Sequence, residues 1–520
     1  MKERRPDEND LLLTPYLIKE EVADILSPYC FKDVQRVYRT IQFIAREPYH
    51  KRLFAKTIIP FLHAVSNSPD PDACLINFER FSSAVFDMST IFMLFKSNKR
   101  MLQLCAVLFS HSQSLSNILI RNPEYLWWLL ESGIKGKPLR KMRHEIDAMV
   151  SSLSTYESKL NAIRRFKRRE MLRIGLMDIF KGIDVAKVTK ELSNLADLML
   201  QVIYNICYTE LKKRYGVPMY KRDDKDIEGK FAIISLGKLG GRELNFSSDI
   251  DIIFIYDSDG TTSGGEDERI SNNLFFIKLG EEILKGVGEI TEEGNCYRVD
   301  MRLRPEGKRG ALVRSLESYE RYYKSHSEIW ERQALIKARF SAGDKHLGKR
   351  FSKIIQSIIY NISQLDSVIF YIRRIKERID QKINVKGLRH THVKLGYGGI
   401  REIEFIVQTL QLLYGGQDNR IRDNNTLSGI KRLYKNGYLK EEEYCDLSAA
   451  YRFMRKVEHR IQIVHDQQTH TIPKDTGELQ KLIKRLGYKG KKANEEFVKE
   501  YRSYTEKVRI IYNSIFYRKH

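Results

Sequence analysis

The stretch FAIISLGKLGGRELNFSSDIDIIFIY, residues 231–256, decides the fold that the sequence predicts. Residues 231–236 are a short apolar run rich in β-branched side chains, which is typical of a buried strand, and residues 249–256 are a second such run. The residues between the two runs contain glycines and polar side chains, which indicates a turn. The sequence therefore predicts two buried strands joined by a glycine-containing connection.

The second run carries two carboxylates that we expect on one face of the strand. Side chains alternate across a strand, so Asp249 and Asp251 point the same way while Ile250 and Ile252 point to the other face. Two like charges so close together repel each other, and a divalent cation removes that repulsion. Mg²⁺ is commonly bound by one or two carboxylates together with substrate phosphates. The alternative is a pair of solvated carboxylates at a strand edge.

The connection between the strands has the composition of a phosphate-binding loop. Glycines let a backbone approach a ligand closely, and successive free N–H groups can hold phosphate oxygens. Cations and hydroxyl groups in the same segment can add charge and hydrogen bonds. The candidate phosphate-binding residues here are Gly237, Lys238, Gly240, Gly241, Arg242, Ser247 and Ser248. An ordinary Gly-Gly turn in a hairpin is the alternative.

A third strand is predicted in YRVDMRLR, residues 297–304. Alternation there places Asp300, Arg302 and Arg304 on one face, where an acid would be a metal ligand and two guanidinium groups would hold phosphate. A surface Asp–Arg pair is the alternative. Three carboxylates can hold two metal ions that stabilise an in-line displacement at phosphorus. We therefore expect Asp249, Asp251 and Asp300 to be catalytic metal ligands for nucleotidyl transfer.

Outside this region the pattern is helical. Apolar residues recur three and four apart over residues 11–215 and again from about residue 356 to the end, and residues 271–287 predict one amphipathic helix. We expect an α+β, predominantly helical chain with an N-terminal helical region (1–160), a nucleotidyltransferase domain (161–345) and a C-terminal helical bundle (346–520). The sequence shows no internal repeat with a period of 20–50 residues, so we do not expect a repeat protein.

Composition narrows the classes of function. No apolar run is long enough for a membrane helix, and the charged N-terminus lacks a signal-peptide core, so we expect a cytoplasmic protein without membrane contact. Six scattered cysteines, at positions 30, 74, 105, 207, 296 and 445, fit a reducing compartment and argue against a zinc site. A formal net charge of +23 favours polyanionic partners, or is a bias spread over solvated faces.

Several long motifs resemble one family. Residues 237–254, 297–315 and 330–339 are similar to the glutamine synthetase adenylyltransferase/adenylyl-removing enzymes, as are VKLGYGGIREIEFIVQTLQLLYGG (393–416), residues 450–462 and DQQTHTIP (466–473). NPEYLWWLL (122–130) and RREMLRIGLMDI (168–179) extend the resemblance, which covers about residues 110–480. It implies a DNA polymerase beta-like nucleotidyltransferase core with helical domains on both sides.

The resemblance also implies a reaction. Members of this bacterial family are usually bifunctional: one half removes AMP from a tyrosine of glutamine synthetase by phosphorolysis and releases ADP, and the other attaches AMP from ATP. This chain has one GG…DxD pattern, and RVDMRLRP, KLGYGGIREIEF and QTHTIP resemble the removing half. We expect adenylylated glutamine synthetase and phosphate as substrates, ADP or ATP as ligands, two Mg²⁺ ions with Mn²⁺ as the alternative, and a nitrogen-signalling regulator protein as a further partner.

Other interpretations remain at this point. The same carboxylates would serve adenylylation from ATP. The positive charge would suit an enzyme that adds nucleotides to nucleic-acid ends, although no RNA-binding module is recognisable, and a non-catalytic regulatory module is a third option. Lys337 and Arg339 would reach phosphate or form salt bridges. His459, His465 and His470 have no metal-ligand spacing, and the helix that follows Gly399 is first a packing helix.

Overall fold

The computed structural model describes residues 6–29, 31–361, 365–464 and 467–517. The predicted α+β, predominantly helical architecture is confirmed. The α-helices that precede the first strand are α1 (Asp10–Leu13), α2 (Lys19–Leu26), α3 (Val34–Ile44), α4 (Pro48–Ala55), α5 (Ile58–Ser66), α6 (Pro71–Ala84), α7 (Met88–Ser97), α8 (Lys99–His111), α9 (Gln113–Arg121), α10 (Tyr125–Ser132), α11 (Leu139–Ser151), α12 (Tyr156–Ile179) and α13 (Val185–Tyr215).

The middle of the chain contains the strands. These elements are β1 (Pro218–Arg222), β2 (Lys225–Glu228), β3 (Phe231–Ser235), α14 (Gly237–Gly240), β4 (Ile250–Tyr256), β5 (Thr261–Thr262), α15 (Asn272–Gly288), β6 (Val299–Asp300), β7 (Val313–Ser315), α16 (Leu316–Ser325), α17 (Ile329–Leu335) and β8 (Arg339–Gly343). The main sheet has the order β6-β4-β3-β8, with β7 also beside β4. Strand β4 is antiparallel to β3 and parallel to both β6 and β7. A separate antiparallel sheet has the order β2-β1-β5.

Both faces of the main sheet are buried, and this explains the continuous apolar runs. Phe231 and Ile233 belong to a core shared with the N-terminal helices, α12, α13 and α15. Their neighbours Ala232 and Ile234 belong to a second core shared with the C-terminal helices. A strand that is covered on both sides has no polar face to alternate with its apolar one. The domain boundaries near residues 160 and 345 stay predictions.

The predicted strands β3 and β4 are confirmed, and so is the helix predicted at 271–287. Ser271 begins that helix, α15, by accepting a hydrogen bond from the backbone N–H of Leu274. The prediction of a strand over 297–304 is confirmed only at β6, Val299–Asp300, and is wrong for the residues on either side. The Asp300 carboxylate accepts a hydrogen bond of 2.8 Å from the backbone N–H of Arg302, so the chain turns where the strand was expected to continue.

The C-terminal part covers the second face of the sheet. Its helices are α18 (Lys345–Ile359), α19 (Leu365–Val385), α20 (Ile400–Tyr414), α21 (Thr426–Lys435), α22 (Glu441–Gln462), α23 (Thr476–Leu486) and α24 (Ala493–Phe516). Helix α20 is buried along most of its length, as expected for a packing helix. Gly398 before it has φ +62°, and a Cβ there would lie 2.0 Å from the carbonyl oxygen of Thr505 in α24. Glycine therefore permits the close approach of these two segments.

Two further predictions can be compared with the structure. None of the helices in the described ranges has the length and apolarity needed to span a membrane. Cys74, Cys105, Cys207 and Cys296 are buried free thiols, and Cys445 is an exposed one. Cys30 lies outside the described residues, as does His465.

Candidate active site

A cleft of about 650 Å³ lies where the end of the main sheet meets the C-terminal helices. Its lining includes the three predicted carboxylates, Asp249, Asp251 and Asp300. Asp251 in β4 is paired in register with Asp300 in β6, and Asp249 directly precedes β4. The structure therefore brings together all three acidic residues that the strand pattern singled out.

The three carboxylates differ in their surroundings. Arg298 donates from Nε to Oδ1 of Asp249 over 2.7 Å. Arg302 donates from Nε to both oxygens of Asp300 over 3.0 and 2.9 Å, and hydrogen bonds from Arg302 hold the pKa of Asp300 below its usual value. Burial, together with the charges of Asp300 and Asp249, raises the pKa of Asp251 to about 6. Asp251 is thus the carboxylate whose charge is least compensated.

The donor set fits a hard divalent cation in type and position. Carboxylate oxygens are the ligands that Mg²⁺ prefers, and the negative charge at Asp251 is what a cation would offset. Within the described ranges, however, no three His, Cys, Asp or Glu side chains are arranged to hold a metal ion. Asp249 and Asp300 are turned instead towards Arg298 and Arg302. Metal binding at these carboxylates therefore stays a prediction.

Gly237 explains how Asp251 occupies its position. Its φ is +52°, and a Cβ at this residue would lie 2.2 Å from Oδ2 of Asp251. Lys238 follows it, also lines the cleft and donates to Glu458 of α22 over 3.1 Å. Burial lowers the pKa of Lys238 to about 7, although Glu458 opposes that shift. The start of the glycine-containing connection therefore belongs to the cleft.

Part of the predicted phosphate loop lies elsewhere. Ser247 and Ser248 line the cleft, whereas Gly240, Gly241 and Arg242 are not among its lining residues. A Cβ at Gly240 would lie 2.0 Å from the carbonyl oxygen of Lys337, and one at Gly241 would lie 2.9 Å from that of Asn424. Arg242 donates from Nη1 to Asn194 of α13. These residues pack the connection against its neighbours.

Arg304 is also placed away from the cleft lining. Its guanidinium donates to the carbonyl oxygens of Gly310, Met301 and Lys308 over 3.0–3.1 Å. The turn after Asp300 removes Arg304 from the face that it would share with the acid in a continuous strand. Its contacts are those of a residue that holds the following loop.

Lys337 and Arg339 form salt bridges, which was the second of the two alternatives for them. Nζ of Lys337 lies 2.6 Å from Glu243 and 3.1 Å from Glu404, and all three side chains are buried. Burial alone would lower the pKa of Lys337, but the two carboxylates raise it above its usual value. Arg339 donates to both oxygens of Asp197 over 2.8 and 2.9 Å.

The sequence patterns did not identify which side chains of the C-terminal part line this cleft. Lys394, Arg401, Gln408 and Gln462 all line it. Burial and the nearby Arg401 lower the pKa of Lys394. Lys394 and Arg401 lie in KLGYGGIREIEF, a motif that carried the family resemblance, but no strand or helix periodicity places them near Asp251.

The cleft lining also includes apolar side chains, namely Leu303, Trp330, Ile375, Ile379 and Phe405. A lining that combines an indole ring with charged groups suits a ligand that has both an aromatic ring and phosphate groups. A nucleotide has that combination.

Two family models match this chain, and each match includes residues that line the cleft. Residues 101–354 match the family model described as glutamate-ammonia ligase adenylyltransferase, and residues 371–516 match the model described as GlnD PII-uridylyltransferase. The first match contains the three carboxylates, and the second contains Lys394 and Arg401.

Curated relatives carry the name bifunctional glutamine synthetase adenylyltransferase/adenylyl-removing enzyme. The protein from Hahella chejuensis is 35% identical over 74% of this chain and 39% of its own length. The proteins from Pseudomonas putida and Nitrosococcus oceani are each 34% identical, over 72% and 81% of this chain and 38% and 43% of their own lengths. The chain therefore spans about two fifths of the length of the relatives it matches.

Proposed function

The chain belongs to the glutamate-ammonia ligase adenylyltransferase family, and on that premise we propose that it removes AMP from adenylylated glutamine synthetase by phosphorolysis. The reaction would take place in the cytoplasm and would release ADP and the unmodified tyrosine. The observation that carries the proposal is the convergence of Asp249, Asp251 and Asp300 in one cleft. This is the acidic floor that transfer of a nucleotidyl group needs.

The charges of the cleft suit the chemistry. Hydrogen phosphate attacks the phosphorus of the AMP-tyrosine ester, the bond from phosphorus to the tyrosine oxygen breaks, and the proton of the phosphate ends on that oxygen. Two anions must meet for this, so cations have to hold both of them. Asp249, Asp251 and Asp300 would hold Mg²⁺, which supplies charge neutralisation at the α-phosphate. Arg302 lies beside Asp300 and is exposed enough to turn towards an incoming phosphate.

The direction of the reaction rests on the motifs. RVDMRLRP, KLGYGGIREIEF and QTHTIP resemble the adenylyl-removing half of the family, and the chain carries one GG…DxD pattern. Adenylylation from ATP is the second candidate, because the name of the relatives covers both activities. Both directions use the same acidic floor, so geometry does not choose between them.

A regulatory partner is part of the proposal. The match of residues 371–516 to a PII-uridylyltransferase model supports control of this part by a nitrogen-signalling regulator protein. Because α20 and α22 line the cleft from this part of the chain, a partner bound there would act directly on the site.

The deciding experiment supplies both possible substrates. The protein is incubated with AMP-modified glutamine synthetase and Mg²⁺, with and without phosphate, and ADP release is measured. A parallel reaction contains unmodified glutamine synthetase and labelled ATP. ADP release that requires phosphate supports removal, incorporation of label supports attachment, and the absence of both rejects the proposed function. The Asp251→Asn variant controls for contaminating enzymes.

A further inference from the structure

Among the residues that the structure describes, five lysine and arginine side chains line the cleft. Four of them have a carboxylate within 4.0 Å: Lys238 with Glu458, Arg302 with Asp300, Lys337 with Glu243 and Glu404, and Arg401 with Glu404. The fifth is Lys394. In the part of the chain that the structure describes, its Nζ has neither a carboxylate within that distance nor a hydrogen-bond acceptor.

The backbone around Lys394 is fixed by hydrogen bonds. The N–H of Val393 donates to the carbonyl of His470 over 2.8 Å, and the carbonyl of Lys394 accepts from the N–H of Arg401 over 2.9 Å. A further hydrogen bond of 3.0 Å joins the N–H of Leu395 to Nδ1 of His392. The position of the Lys394 side chain is therefore set by α20 and by the segment that follows α22.

Lys394 lines the same cleft as Asp249, Asp251 and Asp300. Among the described residues, none of these three carboxylates lies within 4.0 Å of its Nζ. A partly buried ammonium group without an anionic partner loses hydration that its surroundings do not replace. A phosphate group next to the α-phosphate would supply the missing acceptor oxygens.

We propose that Lys394 binds the phosphate group that becomes bonded to the α-phosphate. In the product ADP this group is the β-phosphate. This inference rests on the proposed function, because it assigns one end of the same reaction. In removal, Lys394 holds the attacking phosphate before the new phosphorus–oxygen bond forms. In attachment, the same residue would hold the pyrophosphate that leaves ATP.

Equilibrium binding of ADP and of AMP to the complete chain, in the presence of Mg²⁺, tests this assignment without turnover. The parent protein should bind ADP more tightly than AMP. Lys394→Gln should weaken ADP binding about ten- to hundredfold, the effect of a lost charged hydrogen bond, and leave AMP binding unchanged. Lys394→Arg should keep part of the preference for ADP over AMP. Lys386→Gln, the control at an exposed position of the same segment, should keep the full preference.

Three results would overturn the inference. Equal losses for ADP and AMP in Lys394→Gln would indicate a general effect on the acidic floor, and unchanged binding of both would remove Lys394 from the site. A parent protein that binds neither nucleotide would reject the inference and the proposed function together. If the parent binds ADP through Lys394 but releases none from AMP-modified glutamine synthetase, only the proposed function fails. Thermal melting of each variant checks that it is folded.

Discussion

Asp251 of β4 and Asp300 of β6 are directly opposite each other in a parallel pairing of two strands. Residues opposite each other on neighbouring strands point to the same face, so both carboxylates face the cleft. Gly237 leaves room for the first, and Arg302 holds the second. Two acids placed together in this way repel each other, and a bound cation would offset that repulsion.

Asp251→Asn should lower turnover at least about a hundredfold, because the metal ion proposed to neutralise the α-phosphate would lose a ligand. The variant should be no less stable than the parent without divalent ions, since the repulsion with Asp300 is relieved. ADP release and scanning calorimetry measure the two effects. Asp226→Asn, on an exposed position of β2, is the matched control. A variant that keeps full turnover would remove Asp251 from the site.

Gly237→Ala should abolish most of the activity. Its Cβ would displace the carboxylate of Asp251, and the left-handed backbone adds strain of about 1–2 kcal/mol. Gly182→Ala is the matched control, because Gly182 has φ +61° and no atom near the position of a Cβ. Both variants should melt earlier by similar amounts, and only the first should lose turnover. Equal activities would show that Asp251 tolerates displacement.

The sequence predicted those parts of the fold and site that follow from local patterns. Strands β3 and β4 are short apolar runs rich in β-branched residues, and helix α15 has apolar residues three and four apart. Asp249 and Asp251 are two residues apart, which places them on one face of an extended segment. Asp300 was predicted on a strand, but its side chain bonds the backbone of Arg302 and ends that strand. The alternation of side chains along a strand does not predict a side chain-to-backbone hydrogen bond that ends the strand.

Long-range contacts were beyond the same reasoning. Lys394 and Arg401 reach the cleft because α20 packs against α17, α22 and α24, and nothing local in their segment specifies that packing. The choice between phosphate and salt bridge for Lys337 depended on Glu243 and Glu404, which are distant in the chain. Pairing of buried charges is decided by tertiary structure.

Arg304→Gln should lower stability rather than activity. Three carbonyl oxygens lose their donors, which costs about 1–3 kcal/mol, and the apparent Tm should fall. Arg302→Gln should leave the apparent Tm nearly unchanged, since its guanidinium is largely exposed, and should change the KM for phosphate. Thermal melting and phosphate titration separate the two. An Arg304→Gln variant with a normal Tm and a raised KM would contradict the placement of Arg304.

Lys337→Met should be strongly destabilising. It leaves Glu243 and Glu404 buried without their cation, and loss of one partner from such a group typically costs about 3–5 kcal/mol. Urea unfolding of the purified variant measures the loss. Lys345→Met, at the exposed start of α18, controls for the change of residue type. A parent-like unfolding midpoint for Lys337→Met would show that the two carboxylates accept burial without it.

The lowered pKa of His111 should make the free energy of unfolding depend on pH. Burial, and then the charge of Arg460, lowers the pKa of this imidazole to about 3. Its Nδ1 lies 2.8 Å from the carbonyl oxygen of Val107, and this hydrogen bond opposes the lowering of the pKa only in part. The unfolded chain binds a proton at this residue below about pH 6.5, whereas the folded chain does not until about pH 3.

Stability should therefore fall as pH falls from about 6.5 towards 3, with His111 contributing up to about 1.4 kcal/mol per pH unit. Above pH 6.5 both states carry a neutral ring, and the residue adds no slope. His111→Gln should flatten the decline of the apparent Tm between pH 6.5 and 5, while the exposed His144→Gln should reproduce the parent curve. Calorimetry at constant ionic strength measures these slopes, and identical curves for parent and His111→Gln would show that the buried ring gains its proton in the folded state.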